Sequence, residues 1–364
     1  MQPFLNELFG NPANAHSFGR EAKKAVEHAR ESVALMIGAK PHEIVFTSGG
    51  TESNNAAIKG IAHANRSRGS HIITSSIEHH SVLASCEFLE ASGLTVTYLP
   101  ADANGVVAPE QVLKAITPKT ILISIMHANN EIGTMQPVDE IGKLVREKGI
   151  TFHTDAVQTV GHMPVNVDVL NIDMLSASAH KLYGPKGVGF LYIRSGTRFS
   201  PFMHGGTQEK SRRASTHNVP GIAGLGKAAE LAIENIPDEM ERVVLLRGRI
   251  IDGILGSIKG SRLNGHPSMR LPGNVNVSFT NVEGELLLQQ LDEEGIACSS
   301  GSACSTDSLG PSHVLTAIGL TSDLVTGSLR ISLGKYVKDE DIDYFLKVLP
   351  KAVNKVRAMT EAIE

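Results

Sequence analysis

The sequence lacks several features that would indicate particular classes of protein. It contains no tryptophan, and aromatic residues make up only 4% of it, so no stacking surface for single-stranded nucleic acid is apparent. The formal net charge is −4, which gives no basis for direct binding of nucleic acid or of an anionic membrane. No stretch approaches the roughly 20 apolar residues of a membrane helix. We therefore expect neither nucleic acid nor membrane as a main partner.

Cysteine is scarce, with Cys86, Cys298 and Cys304 as its three occurrences. An odd and small number does not make a disulfide framework, and no Cys-x-x-Cys pair or zinc-like histidine spacing is present. We therefore expect no metal site. The first five residues lack the basic region and apolar run of a secretory signal. The expected compartment is the cytoplasm.

The first two thirds of the chain alternate short apolar runs with longer amphipathic runs. Ala22, Val26, Ala29 and Val33 recur at helical spacing, which predicts a helix over residues 17–36. Another helix is predicted to begin at Glu52. Strands are predicted at residues 43–47, 71–74, 94–99, 121–126, 151–154, 174–178 and 187–193. This alternation predicts an α/β fold with a mostly parallel sheet that helices cover on both faces.

The pattern changes after about residue 225. Helices are predicted at residues 226–258, 283–293 and 339–363, and strands at 274–279 and 328–333. A length of 364 residues suggests about two domains. We predict a large domain over residues 12–235. Residues 236–364, with 1–11, are predicted to form a smaller α+β domain that carries the segment around Cys304.

A lysine follows one of the predicted strands. The stretch Ser-Ala-Ser-Ala-His-Lys-Leu-Tyr-Gly-Pro-Lys-Gly ends a strand in Ser178, His180 and Lys181 and continues into a glycine- and proline-rich turn. Ligands of α/β sheets bind beyond the carboxyl ends of strands, where a deprotonated lysine can form a Schiff base. The alternative, a solvated surface lysine, is the minority interpretation because of the residues on either side.

Asp155 lies at the end of another predicted strand, in Phe-His-Thr-Asp-Ala-Val-Gln. A pyridinium cofactor needs a carboxylate at its ring nitrogen, and one helix and one strand fit between Asp155 and Lys181. The two residues could thus stand on nearby strand ends of one sheet. On this segment alone, an aspartate that caps the following helix is about equally consistent.

A turn of small residues, Thr-Ser-Gly-Gly-Thr-Glu, joins the strand at 43–47 to the next helix. Free N–H groups at a helix start, together with Ser and Thr hydroxyls, make an anion site. The turn matches neither a Walker P-loop nor Gly-x-Gly-x-x-Gly, which disfavours nucleotide binding. Alone, such a turn is weak support for any ligand.

Two of the cysteines differ in their surroundings. Cys298 ends an apolar run and is expected to be a buried, unreactive side chain. Cys304 follows Ser-Ser-Gly-Ser-Ala, a run of small residues that is typical of an exposed loop. A thiol on such a loop could act as a nucleophile that has to move during the reaction. An incidental loop cysteine remains the open alternative.

Taken together, these motifs carry a family resemblance over nearly the whole chain. The sequence resembles the cysteine desulfurases of the NifS/IscS type, in the class V aminotransferase group of fold-type I pyridoxal-phosphate enzymes. The matching stretches, in order, are FGNPANAHSFG, VFTSGGTESNN, EHHSVL, MHANNEIG, HTDAVQ, SAHKLYGPKG, RRASTHN, SSGSACST and LRISLG. The resemblance implies pyridoxal 5'-phosphate as cofactor, L-cysteine as substrate and L-alanine as product.

The resemblance also implies roles around the cofactor ring. Lys181 would form the Schiff base with the cofactor, and Asp155 would pair with the pyridine nitrogen. Gln158 would face the ring hydroxyl. His79 would stack on the ring and take part in proton transfer.

Further roles follow for the phosphate, the substrate and the sulfur. The phosphate would be held by Gly50, Thr51, Ser178 and His180, with Thr216 supplied by the other subunit of a homodimer. Asn130 would contact cofactor or substrate, and Arg330 would bind the substrate carboxylate through its planar fork of donors. Cys304 would receive the sulfur as a persulfide and pass it to an acceptor protein, such as an iron–sulfur scaffold or a thiolation enzyme.

Two departures from the family pattern stand out. Ser215 and His217 occupy positions where the family more often has Gly and Glu, although Thr216 between them is retained. The family's strand with an Asp-x-Ala-Ala-Thr-Thr-like segment ahead of FGNP is not in the sequence.

Other functions of the same group remain as alternatives. A selenocysteine lyase would share most of these residues, whereas an ordinary class V aminotransferase has no use for Cys304. A non-catalytic relative would not be expected to keep Lys181, Asp155 and Arg330 together.

Overall fold

The structure, a computed structural model, describes residues 1–300 and 310–361. Its helices are α1 (Gln2–Asn6), α2 (Ser17–Met36), α3 (Gly50–Ala64), α4 (His80–Ala91), α5 (Pro109–Ala115), α6 (Val138–Glu147), α7 (Val219–Ser257), α8 (Gly284–Glu293), α9 (His313–Ala317), α10 (Ser322–Thr326) and α11 (Asp339–Glu361). Its strands are β1 (Ile44–Thr47), β2 (His71–Ser75), β3 (Thr95–Leu99), β4 (Thr120–Ser124), β5 (Thr151–Asp155), β6 (Met174–Ser178), β7 (Gly189–Ile193), β8 (Ser261–Leu263), β9 (Asn274–Phe279) and β10 (Ser328–Ser332). The predicted persulfide residue, Cys304, lies outside the described residues.

Seven strands form one sheet in the order β1-β7-β6-β5-β4-β2-β3. Strands β2 to β6 pair in parallel, whereas β7 runs antiparallel to both β6 and β1. Strands β2, β4 and β6 are buried along their whole length, as expected for parallel strands that are covered on both faces. The α/β fold with a mostly parallel sheet is therefore confirmed.

Helix α2 illustrates why these residues form these elements. It begins and ends at the residues that the apolar spacing predicts, 17 and 36. The His16 ring accepts a hydrogen bond from the N–H of Gly19 and so satisfies one free donor of the first turn. The face that is turned inward consists of small and branched apolar side chains, among them Ala22, Val26, Ala29 and Val33.

Two helix starts and one short strand are among the differences from the sequence prediction. Helix α3 begins at Gly50 rather than Glu52, because Gly49 precedes it with φ 153° and ψ −176°, a conformation essentially limited to glycine. Helix α7 begins at Val219, ahead of the predicted residue 226. Strand β8 has only three residues and no buried face, so no apolar run marked it.

Strands β10, β9 and β8 form a separate antiparallel sheet in that order. Strand β9 is buried throughout, and its apolar side chains share a core with α7, α8 and α11. The largest fully buried side chain of this core is Phe279. This part of the chain is thus an α+β unit with its own core.

The chain divides into two compact units. One comprises Met1–Leu99, Val107–His127 and Gln136–Ile236, and the other Pro100–Val106, Ala128–Met135 and Pro237–Glu364. Compactness alone does not test the predicted domains, 12–235 and 236–364 with 1–11, which stay a prediction. In the described part of the chain, no helix is both long and apolar enough to cross a bilayer. The same residues hold no group of three side chains suited to a metal ion.

Candidate active site

The carboxyl ends of six strands, β1 to β6, lie at one edge of the large sheet. Asp155 ends β5 beside Ser176 of the parallel β6. Thr47 and Ser178, the last residues of β1 and β6, both pair with Gly189 of the antiparallel β7. Strand β1 therefore points the same way as β6, and the segments that follow these strands lie at one edge, where α/β sheets bind ligands.

The turn between β1 and α3 is packed closely against this edge. A Cβ atom at Gly50 would lie 2.6 Å from Cγ2 of Val157, and one at Gly49 would lie 3.5 Å from Oγ of Ser178. The N–H groups in the first turn of α3 have no acceptor within the helix, and the helix dipole favours negative charge there. Together with the exposed Thr51, these features suit the turn to bind a phosphate.

Ser178, His180 and Lys181 follow one another at the end of β6. Ser178 is buried, and its Oγ lies 2.8 Å from Nδ1 of His180. Burial, with the charges of Lys181 and Lys186, lowers the pKa of His180, which favours the neutral ring. Lys181 is exposed, at the end of a short 3-10 turn, Ala179–Lys181. An amine at this place is open to a ligand beyond the strand ends.

Asp155 is a buried carboxylate. Its Oδ2 accepts a hydrogen bond from Nδ2 of Asn54 at 2.7 Å, and its Oδ1 accepts one from the N–H of Val157 at 2.9 Å. Burial raises the pKa of Asp155, and these two donors oppose the rise. No lysine or arginine of the described residues pairs with it, although a buried carboxylate requires a compensating charge or donor. A pyridinium N–H would supply one.

His79 caps the N-terminus of α4, the helix that follows β2. Its Nδ1 accepts a hydrogen bond from the N–H of Ser81 at 3.1 Å and lies 2.8 Å from Oγ of Ser81. The preceding Glu78 is fully buried, and burial raises its pKa to about 8.

Asn130 and Arg330 both belong to the smaller unit. Nη1 of Arg330 donates to the backbone oxygen of Asn130 at 3.3 Å, and the Asn274 amide donates to the same oxygen at 3.5 Å. The Nε atom of Arg330 is buried without a hydrogen-bond partner in the described ranges. An arginine with donors to spare is suited to a carboxylate ligand.

Thr216 is exposed, in the segment between Glu209–Ser211 and α7. Thr216 lies two residues after the buried Ala214. Arg213, which precedes Ala214, pairs through its guanidinium with the carboxylate of Glu52 at 2.8 and 3.2 Å. Glu52 lies in the first turn of α3 and also accepts from the N–H of Ser48. The segment that carries Thr216 is thus tied to the glycine turn before α3 in its own chain.

The structure brings eight predicted residues to the strand ends of the large unit: Gly50, Thr51, His79, Asp155, Gln158, Ser178, His180 and Lys181. Gln158 is half-buried in the turn after Asp155. Sequence reasoning missed Asn54 and Ser81, which connect Asp155 to His79. A signal was present, since Asn54 lies one helical turn beyond Gly50 and so must stand near the same edge.

These residues fit pyridoxal 5'-phosphate. A phosphate matches the glycine turn, a pyridine nitrogen matches the buried carboxylate of Asp155, and an aldehyde matches the exposed amine of Lys181. The match rests on donor and acceptor chemistry and on the shared edge of the sheet.

Comparisons with known proteins agree with this chemistry. The family model of aminotransferase class-V matches residues 1–345. A cysteine desulfurase IscS from Dictyoglomus turgidum is 56% identical over 360 residues, which cover 99% of this chain and 91% of the relative. One from Methanosarcina thermophila is 54% identical over 360 residues, with 99% and 89% covered.

Solved structures give the same result. A NifS-like protein superposes with a TM-score of 0.91 at 40% identity, over 97% of this chain and 94% of the other. A structure described as SspA in complex with cysteine superposes with a TM-score of 0.82 at 42% identity, over 93% and 94%. The predicted fold class and family resemblance are confirmed. The chain belongs to the aminotransferase class-V family, among its cysteine desulfurases.

Proposed function

We propose that this chain converts L-cysteine to L-alanine with pyridoxal 5'-phosphate, keeps the sulfur on Cys304 as a persulfide, and passes it to an acceptor protein. The observation that supports this most is the buried carboxylate of Asp155, which has no lysine or arginine partner among the described residues. It ends β5 beside β6, the strand that leads to Lys181. The relatives named as cysteine desulfurases and the neighbour described as binding cysteine support the choice of substrate.

The residues of the large unit would hold the cofactor at both ends. Lys181 would bond to the aldehyde, Asp155 would accept from the ring nitrogen, and Gln158 would face the ring hydroxyl. When bound, the pyridinium ring draws electrons from the α-carbon of the substrate and makes its α-proton acidic. The phosphate would be bound by four residues near the glycine turn: Gly50, Thr51, Ser178 and His180.

The substrate would be oriented by Arg330, whose guanidinium suits its carboxylate, and by Asn130, whose backbone oxygen already accepts from Arg330. The Lys181 amine would serve as the base that removes the α-proton of the substrate. His79 would stack on the ring and assist proton transfer.

Cys304 would attack the sulfur of the substrate as a thiolate. A new S–S bond forms, the C–S bond of the substrate breaks, and its electron pair passes to the carbon skeleton, which leaves as alanine after protonation. A free thiol has a pKa of roughly 8.5, so a cation or base must favour the thiolate. Burial raises the pKa of Cys86 to about 12 and that of the half-buried Cys298 to about 11, which disfavours the thiolate form of both.

Partners and compartment follow from this chemistry. A homodimer would let Thr216 of one subunit reach the phosphate bound by the other. The sulfur acceptor would be an iron–sulfur scaffold protein or a thiolation enzyme. Because a working thiol must stay reduced between turnovers, we assign the reaction to the cytoplasm.

The test is cysteine turnover by the purified protein with added pyridoxal 5'-phosphate and a reductant. Equal amounts of alanine and sulfide, without keto acid, are expected. Lys181→Ala should abolish both products, and Lys186→Ala, five positions on, is the matched control. Keto acid in place of sulfide would identify an aminotransferase. Turnover of selenocysteine without turnover of cysteine would identify a selenocysteine lyase and contradict the proposal.

A further inference from the structure

One buried side chain connects two residues of the candidate site. Asn54, on the inner face of α3, is only 1% exposed. Its Nδ2 donates to Oδ2 of Asp155 at 2.7 Å and to Oγ of Ser81 at 2.9 Å. Both hydrogens of a single amide are therefore used, one on the carboxylate and one on a hydroxyl.

The orientation of this amide follows from its partners. An ionised carboxylate only accepts hydrogen bonds, so the Asn54 atom facing Asp155 must be the nitrogen. The amide oxygen is then left buried, without a hydrogen-bond partner in the described part of the chain. Leaving a buried acceptor unsatisfied destabilises the fold, and native structures keep such groups rarely. The free-energy cost of the unsatisfied oxygen indicates that the two bonds from the amide nitrogen have a function.

Hydrogen bonds from Ser81 extend this connection to His79. The backbone N–H of Ser81 can only donate, and it points to Nδ1 of His79 at 3.1 Å. Nδ1 must therefore be an acceptor, and the neutral ring carries its proton on Nε2. The Ser81 hydroxyl, which accepts from Asn54, is free to donate to the same Nδ1 at 2.8 Å.

We propose that Asn54 and Ser81 are positioning residues that hold the Asp155 carboxylate and the His79 ring in one hydrogen-bonded unit and fix the His79 tautomer with its proton on Nε2. Protonation of Nδ1 would break both of its bonds from Ser81. This inference rests on the proposed function, because it assigns the unit to the residues expected to contact the cofactor ring.

The two ends of the unit stand on different elements. Asp155 ends β5, Asn54 belongs to α3, and Ser81 and His79 start α4. Without the amide, the carboxylate would keep its bond from the N–H of Val157 but lose the donor on Oδ2. Its angle to a bound ring would then be set by one bond instead of two, and the start of α4 would lose its tie to β5.

The chain offers matched controls for both residues. Asn55 is the next residue on α3, and its amide donates to the backbone oxygen of Thr51 and accepts from Lys59. Ser85 lies one turn further along α4, is buried, and donates to the backbone oxygen of Ser81. The hydrogen bonds of these two side chains go to neither Asp155 nor His79, so Asn55→Ala and Ser85→Ala report the general cost of losing an amide or a hydroxyl on these helices.

The first measurement is NMR of isotope-labelled histidine in the protein without cofactor, with His79 assigned through His79→Gln. The wild-type ring should show a protonated Nε2 and an accepting Nδ1. Both alanine variants keep the backbone N–H of Ser81. Ser81→Ala removes the hydroxyl bond to Nδ1 and Asn54→Ala releases that hydroxyl, so both should shift the Nδ1 signal, while Ser81→Thr, which keeps a hydroxyl, restores the wild-type signal. Unchanged nitrogen signals in both alanine variants would overturn the proposal.

The second measurement is cysteine turnover and cofactor binding by the holoenzyme, corrected for the folded fraction. Asn54→Ala should lower kcat and cofactor affinity roughly tenfold to a hundredfold, the range for losing a hydrogen bond to a charged group, with little change in KM. Kinetics like those of Asn55→Ala would overturn the proposal. If the wild type makes no alanine, the proposed function fails, yet the NMR measurement still decides the hydrogen-bonded unit.

Discussion

Arg30 and Glu209 form a bidentate ion pair in the large unit, with Nη1 to Oε2 at 2.8 Å and Nη2 to Oε1 at 2.9 Å. The side chains are 9% and 2% exposed, so the pair is largely shielded from water. Glu209 also contacts Nε2 of His217 and accepts from the N–H of Phe46. This cluster anchors the start of the segment that leads to Thr216, where Lys210 and Ser211 have positive φ angles.

Removing the charge of Glu209 should destabilise the protein strongly. Glu209→Gln leaves the buried Arg30 with only the more exposed Glu27 as counter-charge, and we expect a loss of about 3 kcal/mol in the free energy of unfolding by urea at neutral pH. The matched control is Glu21→Gln, which removes an exposed pair with Lys24 and should cost less than about 1 kcal/mol. Equal effects of the two variants would contradict this account.

The same carboxylate predicts how stability depends on pH. Burial alone would raise its pKa, but hydrogen bonds from His217 and Arg30 outweigh burial and lower the pKa of Glu209 from 4.5 to about 2. Its stabilisation is therefore complete above the ordinary pKa and is lost as the pH falls toward 2. In urea titrations between pH 5 and 3, the wild type should lose more stability than Glu209→Gln. Parallel curves would show that Glu209 does not contribute to the acid sensitivity.

Arg213→Met should weaken cofactor binding by roughly tenfold. Hydrogen bonds from Arg213 and Ser48 outweigh burial and lower the pKa of Glu52, which keeps this carboxylate ionised in the first turn of α3. Without Arg213, its uncompensated charge would oppose a phosphate at that turn. Titration of the cofactor-free protein with pyridoxal 5'-phosphate measures the effect. Arg212→Met, whose guanidinium contacts only the His42 carbonyl among the described residues, is the control and should bind normally.

Thiol labelling should separate the three cysteines. Because burial raises the pKa of Cys86 to about 12 and that of Cys298 to about 11, neither is ionised at pH 7 and both should alkylate slowly. Peptide mapping after brief iodoacetamide treatment of the folded protein should find the label on Cys304. Label distributed evenly over the three residues would argue against Cys304 as the nucleophile.

Mixed oligomers test whether Thr216 serves the partner subunit. Lys181→Ala and Thr216→Val should each have little activity alone. If Thr216 acts across the interface, a mixed dimer has one site with both intact residues, and mixing the unfolded variants and refolding them together should recover activity. Activity no higher than the average of the two variants would place Thr216 in its own subunit's site or outside the site.

The sequence predicted the large unit well where periodicity and burial agree. Strand β6 and helix α2 begin and end at their predicted residues, because apolar spacing alone defines them. The start of α3 differs from the prediction because hydrophobic periodicity does not predict the positive φ angle of Gly49. Strand β8 was not predicted because a half-exposed strand of three residues is too short to show an alternation of apolar and polar residues.

The candidate site was predicted in part. Lys181 and Asp155 follow predicted strands, so the rule that strand ends bind ligands places them at one edge. Asn54 and Ser81 were missed because ordinary polar residues on helices carry no signal of their own. Their role depends on the pairing of α3 and α4 with β5, which only the three-dimensional structure supplies.

The most direct measurement is the mass of the peptide that contains Cys304, after one turnover with sulfur-labelled L-cysteine and no reductant. A gain of one labelled sulfur atom, reversed by dithiothreitol and absent in Lys181→Ala, is the result this account predicts. Cys298→Ala should behave as the wild type. Alanine release with the labelled sulfur on another cysteine, or on none, would contradict the account.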